Sequence, residues 1–291
     1  MEPMADLSQI NVPTVTLNDD REMPLLGLGT YKLRGAEGEK IVRQAIELGY
    51  RKFDTASMYA NEDIVGKAIN DAVAAGDVSR DEIFVTTKLW NDDQGRDNVA
   101  PAFHKSLTNL GLDYVDLYLV HWPCPAKGLY AETFDEIARM QGMGQIASIG
   151  VANFYEETLR DLASKTGVVP VSNQVELHPG FTQPELRKVH EELGVVTEAW
   201  APIARGAVLD NPELKQVAGE LGATEGQVAL AYLMQLGISV IPKTATPSRL
   251  EENLGAAGVT LSSAQMDAIA GLEGREGFGR MFNDPRQWPE D

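Results

Sequence analysis

The sequence predicts a (β/α)8 barrel, the TIM-barrel fold, preceded by a β-hairpin. Eight short apolar runs typical of strands alternate with amphipathic helical patterns, and strict alternation of this kind is typical of parallel α/β folds. The alternative is an open doubly wound sheet, which usually carries G-x-G-x-x-G after its first strand. Here Gly27-Leu28-Gly29-Thr30 is followed by Tyr31 and Lys32, which favours the barrel.

The elements follow from the runs between Gly and Pro residues. Two short strands around the turn Asn18–Arg21 predict the hairpin, because Asn and Asp favour turns. The barrel strands are expected at Leu26–Gly29, Lys52–Asp54, Ile83–Lys88, Val115–His121, Ile146–Ala152, Val171–Val175, Val195–Ala199 and Ser239–Pro242. The helices are expected at Glu37–Leu48, Asn61–Ala74, Asn98–Leu110, Ala131–Met140, Tyr155–Lys165, Pro184–Leu193, Pro212–Leu221, Gly226–Gln235 and Ser263–Leu272.

Composition narrows the class of protein. The chain has 291 residues with ordinary globular proportions of apolar and charged residues, so one barrel domain over residues 1–291 is expected. Its net charge of −18 disfavours nucleic acid and anionic membranes as partners. The N-terminal segment shows no signal-peptide pattern, and the single Cys124 excludes an internal disulfide. We expect a cytoplasmic monomer with no metal site, since the histidines lack ligand spacing.

Polar side chains stand where successive predicted strands end. These are Asp54, Lys88, His121 and Asn153, at intervals of 34, 33 and 32 residues. Each interval is one βα unit, and active sites of this fold lie at the carboxyl ends of the strands. We therefore expect these side chains to meet in one layer.

Their chemistry suggests proton donation to an oxygen. Lys88 beside Asp54 would form an ion pair, and Tyr59 could fold back over it from a short loop. An ammonium about 4 Å from a phenol contributes about 4 kcal/mol at an effective dielectric of about 20, so the pKa of Tyr59 is expected to fall from about 10 toward neutrality. With His121 orienting a carbonyl oxygen, this assembly would serve a carbonyl that accepts a hydride.

The sequence resembles the aldo-keto reductase superfamily over nearly its whole length. The motifs that carry the resemblance occur in the same order along the chain as in the superfamily: residues 54–62, 86–90, 117–123, 148–154, 173–179 and 241–244. Residues 29–35 and 173–179 are most similar to the short-loop bacterial branch that includes 2,5-diketo-gluconate reductases.

The resemblance implies a catalytic tetrad and an extended NADPH. The tetrad is Asp54, Tyr59, Lys88 and His121, with Tyr59 as proton donor. The positions matching the family's cofactor contacts are Asn153 and Gln174 for the carboxamide, Trp200 for ring stacking, and Lys243, Thr244, Arg249, Glu252 and Asn253 for the 2′-phosphate and adenine. Ala152 replaces the usual serine before Asn153, so one carboxamide contact is expected to be missing.

The predicted substrate site is aromatic and open. Tyr31, Trp90 and Trp122 would line it beside His121, and the C-terminal tail, residues 274–291, is expected to cover the mouth. The function expected is NADPH-dependent reduction of small aldehydes, ketones, dicarbonyls or keto-sugar acids. Two alternatives stay open: a non-catalytic NADPH-binding subunit on the same fold, and an aldolase that forms a Schiff base on Lys88.

Overall fold

The computed structural model describes residues 10–288 of the chain. The prediction about the N-terminal segment falls largely on residues 1–9, and the tail prediction extends to residues 289–291; both stretches lie outside the described residues. The predicted (β/α)8 architecture is confirmed. An antiparallel hairpin, β1 (Thr14–Thr16) and β2 (Glu22–Pro24), precedes eight parallel strands. These are β3 (Leu28–Gly29), β4 (Lys52–Asp54), β5 (Phe84–Leu89), β6 (Val115–Val120), β7 (Ile146–Ala152), β8 (Ser172–Glu176), β9 (Val196–Trp200) and β10 (Ser239–Val240).

Each barrel strand pairs with the next one in sequence. Parallel bridges from Leu26 to Val240 and from Gly29 to Lys243 join the first and last strands. A Cβ at Gly29 would lie 2.8 Å from the carbonyl oxygen of Ile241, so this close approach of two backbones requires glycine. These bridges close the sheet into a barrel.

Ten α-helices occur within the described residues. They are α1 (Gly35–Leu48), α2 (Glu62–Ala75), α3 (Arg96–Leu110), α4 (Tyr130–Gln141), α5 (Glu156–Thr166), α6 (Pro184–Leu193), α7 (Pro212–Leu221), α8 (Glu225–Gln235), α9 (Pro247–Gly255) and α10 (Ser263–Ala270). The expected barrel strands and helices agree with these bounds to within two residues. The helix α9, which begins with proline at its first position, was not among those expected. None of the helices between residues 10 and 288 is long and apolar enough to cross a membrane.

The hairpin closes the amino-terminal end of the barrel. Leu17 and Met23 pack there in one apolar cluster with Phe84, Leu117 and Leu119. Active sites of this fold lie at the opposite end, where the strands terminate.

Candidate active site

The structure brings Asp54 and Lys88 together at the carboxyl ends of β4 and β5. Lys88 Nζ lies 2.6 Å from Asp54 Oδ1 and also donates to the carbonyl oxygen of Thr55, at 2.8 Å. Both side chains are buried. Burial alone would lower the pKa of Lys88, but the surrounding acidic groups, Asp54 first and then Tyr59 and Glu198, together outweigh burial and hold that pKa above its usual value. Lys88 is therefore charged at neutral pH.

Tyr59 lies over this pair on a short 3-10 turn, Ser57–Tyr59. The loop is held by Asn61, which accepts a hydrogen bond from Thr55 Oγ1 at 2.8 Å and donates one to the carbonyl oxygen of Thr30 at 2.8 Å. Lys88 Nζ stands 5.1 Å from the centroid of the Tyr59 ring. The predicted fold-back of Tyr59 toward Lys88 is what the structure contains.

The expected fall in the pKa of Tyr59 does not occur in this structure. Burial raises the pKa of the phenol, and the lowering by Lys88 only partly offsets it. Charge alone leaves out desolvation by the groups packed around the phenol, which acts against the phenolate. Tyr59 is consequently a protonated phenol at neutral pH, beside a cation that would stabilise its anion.

His121 follows β6 and faces both aromatic neighbours. Its ring centroid lies 5.8 Å from that of Tyr59 and 5.1 Å from that of Trp90. Burial, reinforced by Lys88, holds the pKa of His121 well below its usual value. The imidazole is therefore neutral, with one ring nitrogen able to donate and the other to accept.

Asn153 and Trp200 are joined to each other. Trp200 Nε1 donates to Asn153 Oδ1 at 2.9 Å, and Asn153 Nδ2 donates to the carbonyl oxygen of His121, also at 2.9 Å. Asn153 adopts a left-handed backbone conformation, with φ of 65°, which asparagine tolerates better than most residues. The two predicted nicotinamide contacts are thus part of one rigid arrangement beside His121.

Gln174 lies between two buried carboxylates. Its Nε2 donates to Asp54 Oδ2 at 2.8 Å and to Glu198 Oε1 at 2.5 Å. Glu198 is in turn ion-paired with Lys52. Neither Lys52 nor Glu198 was predicted to have a role, although a charged residue inside a strand as short and buried as Lys52–Asp54 is itself a signal.

The predicted phosphate segment follows the last strand. Lys243 and Arg249 are exposed, whereas Thr244 is buried and its Oγ1 accepts from the backbone N–H of Thr246 at 3.0 Å. Burial and the charge of Lys32 lower the pKa of Lys243. Lys32 was not predicted as a site residue. Across residues 10–288, no carboxylate forms an ion pair with Lys32, Lys243 or Arg249.

The remaining two predicted contacts lie on α9 in different settings. Glu252 Oε1 accepts from Thr224 Oγ1 at 2.7 Å, so one oxygen of this carboxylate is already engaged. Asn253 is buried, with 6% of its surface exposed. Arg249 is therefore more accessible than Glu252 or Asn253.

Aromatic side chains surround the mouth, and the tail lies over them. Tyr31 and Tyr59 have ring centroids 5.1 Å apart. In the tail, Trp288 packs against Trp122 and Trp90, with centroids 4.4 Å and 5.9 Å apart. The tail thus covers the aromatic mouth, as expected.

A buried carboxylate that was not predicted anchors the tail. Glu176, at the end of β8, accepts from the backbone N–H of Met281 at 2.6 Å and of Phe282 at 3.2 Å. It also pairs with Arg280 at 3.2 Å. Phe282 packs on Trp200, with centroids 5.3 Å apart. A fully buried carboxylate at a strand end needs partners of this kind.

Candidate metal ligands are the His, Cys, Asp and Glu side chains of residues 10–288. The described part of the chain contains no group of three or more His, Cys, Asp or Glu residues arranged to hold a metal ion. The chemistry the arrangement offers is a phenol poised between an ammonium and a neutral imidazole, beside an aromatic and amide-lined surface.

Comparisons with known proteins identify the family of the chain. The model of the Aldo/keto reductase family matches residues 25–273. A curated protein from Mycobacterium sp. (strain KMS), called an aldo-keto reductase, is 44% identical over 264 residues, which cover 91% of this chain and 94% of that protein.

Two solved structures are similar over nearly the whole chain. An aldo/keto reductase from Brucella melitensis has 44% identity and a TM-score of 0.86, covering 90% of this chain and 100% of that one. A mutant of Gox0644 in complex with NADPH has 40% identity and a TM-score of 0.89, covering 95% and 98%. Fold, site geometry and sequence likeness converge, and the chain belongs to the aldo/keto reductase family.

Proposed function

We propose that this chain is a reductase that uses NADPH to reduce small aldehydes, ketones, dicarbonyls or keto-sugar acids to alcohols. The observation that carries the proposal is the buried ion pair between Lys88 and Asp54 beneath the phenol of Tyr59, with neutral His121 opposite. Membership of the family makes the chain an NADP-dependent oxidoreductase. The substrate class and the role of each residue are the proposal.

The residues present fit NADPH. Lys32, Lys243 and Arg249 are cations without ion-pair partners among residues 10–288, in a protein of net charge −18. Such cations suit the phosphates of a dinucleotide, Arg249 in particular by bidentate hydrogen bonding. At the other end Trp200 offers an aromatic face for the nicotinamide ring, and Asn153 and Gln174 offer amides for its carboxamide. Thr244, Glu252 and Asn253 are proposed to border the adenosine.

When bound, NADPH supplies the hydride. The protein supplies the proton and the orientation. His121, neutral at physiological pH, donates a hydrogen bond to the carbonyl oxygen and directs that oxygen toward Tyr59. The phenol of Tyr59 then gives its proton to the oxygen as negative charge develops there.

Lys88 and Asp54 lower the free-energy cost of that proton transfer. The ammonium of Lys88 stabilises the phenolate left on Tyr59, and Asp54 keeps Lys88 charged despite its burial. Because both are fixed by hydrogen bonds before substrate enters, little reorganisation is needed when charge develops.

The shape of the mouth supports small substrates. Tyr31, Trp90 and Trp122 line it, and Trp288 of the tail packs against two of them. An aromatic mouth covered by a tail suits planar, compact carbonyl compounds. Residues 29–35 and 173–179 resemble the short-loop bacterial branch that includes 2,5-diketo-gluconate reductases, and we propose that the chain belongs to this branch.

The two alternative functions are weakened by the same ion pair. A Schiff-base aldolase needs a neutral lysine, whereas Asp54 holds the pKa of Lys88 above its usual value. A non-catalytic NADPH-binding subunit would have no use for a buried charge pair aimed at a phenol, which is costly to bury.

The test is turnover by the unmodified protein. We expect carbonyl-dependent loss of NADPH absorbance with methylglyoxal, a keto-sugar acid or an aromatic aldehyde, and little loss with NADH. Absence of turnover across such a panel, with NADPH still quenching tryptophan fluorescence, would favour the non-catalytic subunit. A substrate adduct trapped on Lys88 by borohydride would favour the aldolase.

A further inference from the structure

A second buried ion pair lies one layer below the tetrad inside the barrel. Lys52, two residues before Asp54 in β4, pairs with Glu198 of β9 across the interior, and both side chains are fully buried. Ser239 of β10 joins them, since its Oγ accepts from Lys52 Nζ at 2.7 Å and donates to Glu198 Oε2 at 3.1 Å. Neither charged residue belongs to the tetrad or to the proposed cofactor contacts.

The surrounding chain leaves room for Lys52. A Cβ at Gly27 would lie 2.8 Å from Lys52 Cγ and 3.0 Å from the Lys52 carbonyl oxygen, so a larger residue at Gly27 would collide with it. A buried ion pair repays little of its desolvation cost, and apolar residues of similar size often serve stability as well. The third partner of Glu198 is therefore the more informative feature.

That partner is Gln174, whose amide is held at both hydrogens. One hydrogen of Nε2 goes to Asp54 Oδ2 and the other to Glu198 Oε1. A flipped amide would set Oε1 against two carboxylates, so this orientation is strongly favoured. No donor within residues 10–288 pairs with Gln174 Oε1, which leaves it as the free atom of the side chain.

We propose that Lys52 and Glu198 are positioning residues that hold Gln174 with Oε1 free to accept the carboxamide N–H of the nicotinamide. The inference rests on the proposed function. An oxygen fixed in this way selects a carboxamide, which donates, over a carboxylate at the same ring position, which would be repelled. Glu198 acts through Gln174 and touches no reacting atom.

The charge of Lys52 is what makes Glu198 a dependable acceptor. Burial alone would raise the pKa of Glu198, but the ammonium of Lys52, together with the hydrogen bond from Gln174 and the charge of Lys88, outweighs burial and holds that pKa below its usual value. Lys52 and Lys88 together carry two positive charges, which balance the two negative charges of Asp54 and Glu198. No unpaired charge of this group therefore lies next to the Asp54–Lys88 pair.

The experiment compares two double variants of equal charge. Lys52→Met/Glu198→Gln keeps an amide oxygen that accepts from Gln174, whereas Lys52→Met/Glu198→Met has similar size and no comparable acceptor. Single variants are avoided because each would leave one charge buried without its partner. The readouts are the Kd of NADP+ and the Kd of its nicotinic acid analogue, both by tryptophan fluorescence, together with the melting temperature.

We expect the variant with glutamine to keep the wild-type preference for the carboxamide. In the variant with methionine, Asp54 alone still accepts from Gln174 Nε2, so the amide is held at one hydrogen instead of two; NADP+ should bind up to about tenfold more weakly and the preference should fall by up to about tenfold. If that variant fails to fold, Lys52→Met/Glu198→Leu takes its place. Equal preference in the two folded double variants, whether retained or lost, overturns the proposal.

The two proposals fail in different ways. If the wild-type protein neither binds NADPH nor reduces a carbonyl, the proposed function is wrong before any variant is made. If the wild-type protein does both and the matched variants do not differ, only the positioning role of Lys52 and Glu198 is wrong.

Discussion

The two ends of the proposed cofactor site are built in opposite ways. In the tetrad, Asp54, Lys88 and His121 are buried, Tyr59 is partly exposed on its short turn, and the two charges are paired with each other. The phosphate cluster, which we define as Lys32, Lys243 and Arg249, is exposed and has no ion-pair partner among the described residues. Enclosed, prearranged groups act on the chemical step. Exposed cations act on binding, through charge that remains free until an anion arrives.

Substitution of Tyr59 should have the largest effect on catalysis, because Tyr59 belongs to the end of the site that acts on the chemical step. Tyr59→Phe removes the proton donor and leaves the ring in place, so kcat for carbonyl reduction should fall by about two to four powers of ten. Affinity for NADPH, measured by quenching of tryptophan fluorescence, should stay within about twofold, because the phosphate cluster is untouched. Retention of more than about a tenth of the wild-type kcat would assign the proton to another group.

The phosphate cluster should show the reverse behaviour. Arg249→Ala or Lys243→Ala removes a charged contact, which is worth a factor of about ten to a hundred in affinity. We expect the KM of NADPH to rise by that factor while kcat changes little and the KM of NADH stays constant.

A matched control separates local contact from overall charge. Lys105→Ala removes an exposed positive charge from α3, away from the strand ends, and should leave the KM of NADPH unchanged. An equal rise in all three variants would show that net charge, rather than the phosphate cluster, governs cofactor binding.

The site residues that could be predicted from the sequence are those placed by local structure. Asp54, Lys88 and His121 were predictable because each ends an apolar run at a spacing of one βα unit. The interval is set by local structure, and local structure is what a sequence pattern records. Tyr59 followed from the short loop after Asp54.

The features that were not predicted from the sequence depend on contacts between segments that are distant along the chain. Glu176 meets the tail more than 100 residues later, and Lys52 meets Glu198 146 residues away. No periodicity records such pairs. The direction of the Tyr59 pKa was wrong for a related reason, since desolvation depends on the number of groups packed around the phenol, which spacing does not give.

The C-terminal tail, which is held by the buried Glu176, is the third region to test. Glu176→Gln places an NH2 group where the backbone N–H groups of Met281 and Phe282 need an acceptor. We expect the tail to loosen and the KM of the carbonyl substrate to rise about three- to tenfold, with a smaller change in kcat. The measurement is steady-state kinetics at saturating NADPH.

Glu157→Gln is the control on the same tail. Glu157 pairs with Arg286 at the surface, and such exposed pairs contribute little. This variant should change the KM by less than about twofold. If both variants behave alike, the buried anchor at Glu176 has no special part in holding the tail.

The smallest expected effect is in the pH dependence of reduction. Burial raises the pKa of Tyr59 above its usual value, so the phenol keeps its proton as the pH rises through neutrality. Burial also holds the pKa of His121 well below its usual value, so the imidazole stays neutral as the pH falls toward about 6. Both shifts move the titration of these groups away from neutrality, so kcat with NADPH should vary by less than about twofold between about pH 6 and about pH 9.

A titration midpoint near neutral pH in the profile of kcat would contradict this prediction. A fall in kcat on the alkaline side of about pH 7.5 would mean that Lys88 outweighs burial once cofactor is bound, lowering the pKa of Tyr59 toward the value expected from charge alone.

Repeating the pH profile with the double variant Lys52→Met/Glu198→Gln sharpens the test. That variant removes one cation and one anion from the layer below, so a profile governed by Asp54, Tyr59, Lys88 and His121 alone should be unchanged. A shifted profile would show that the enclosed end of the site extends to Lys52 and Glu198, whereas the exposed end stops at its three cations.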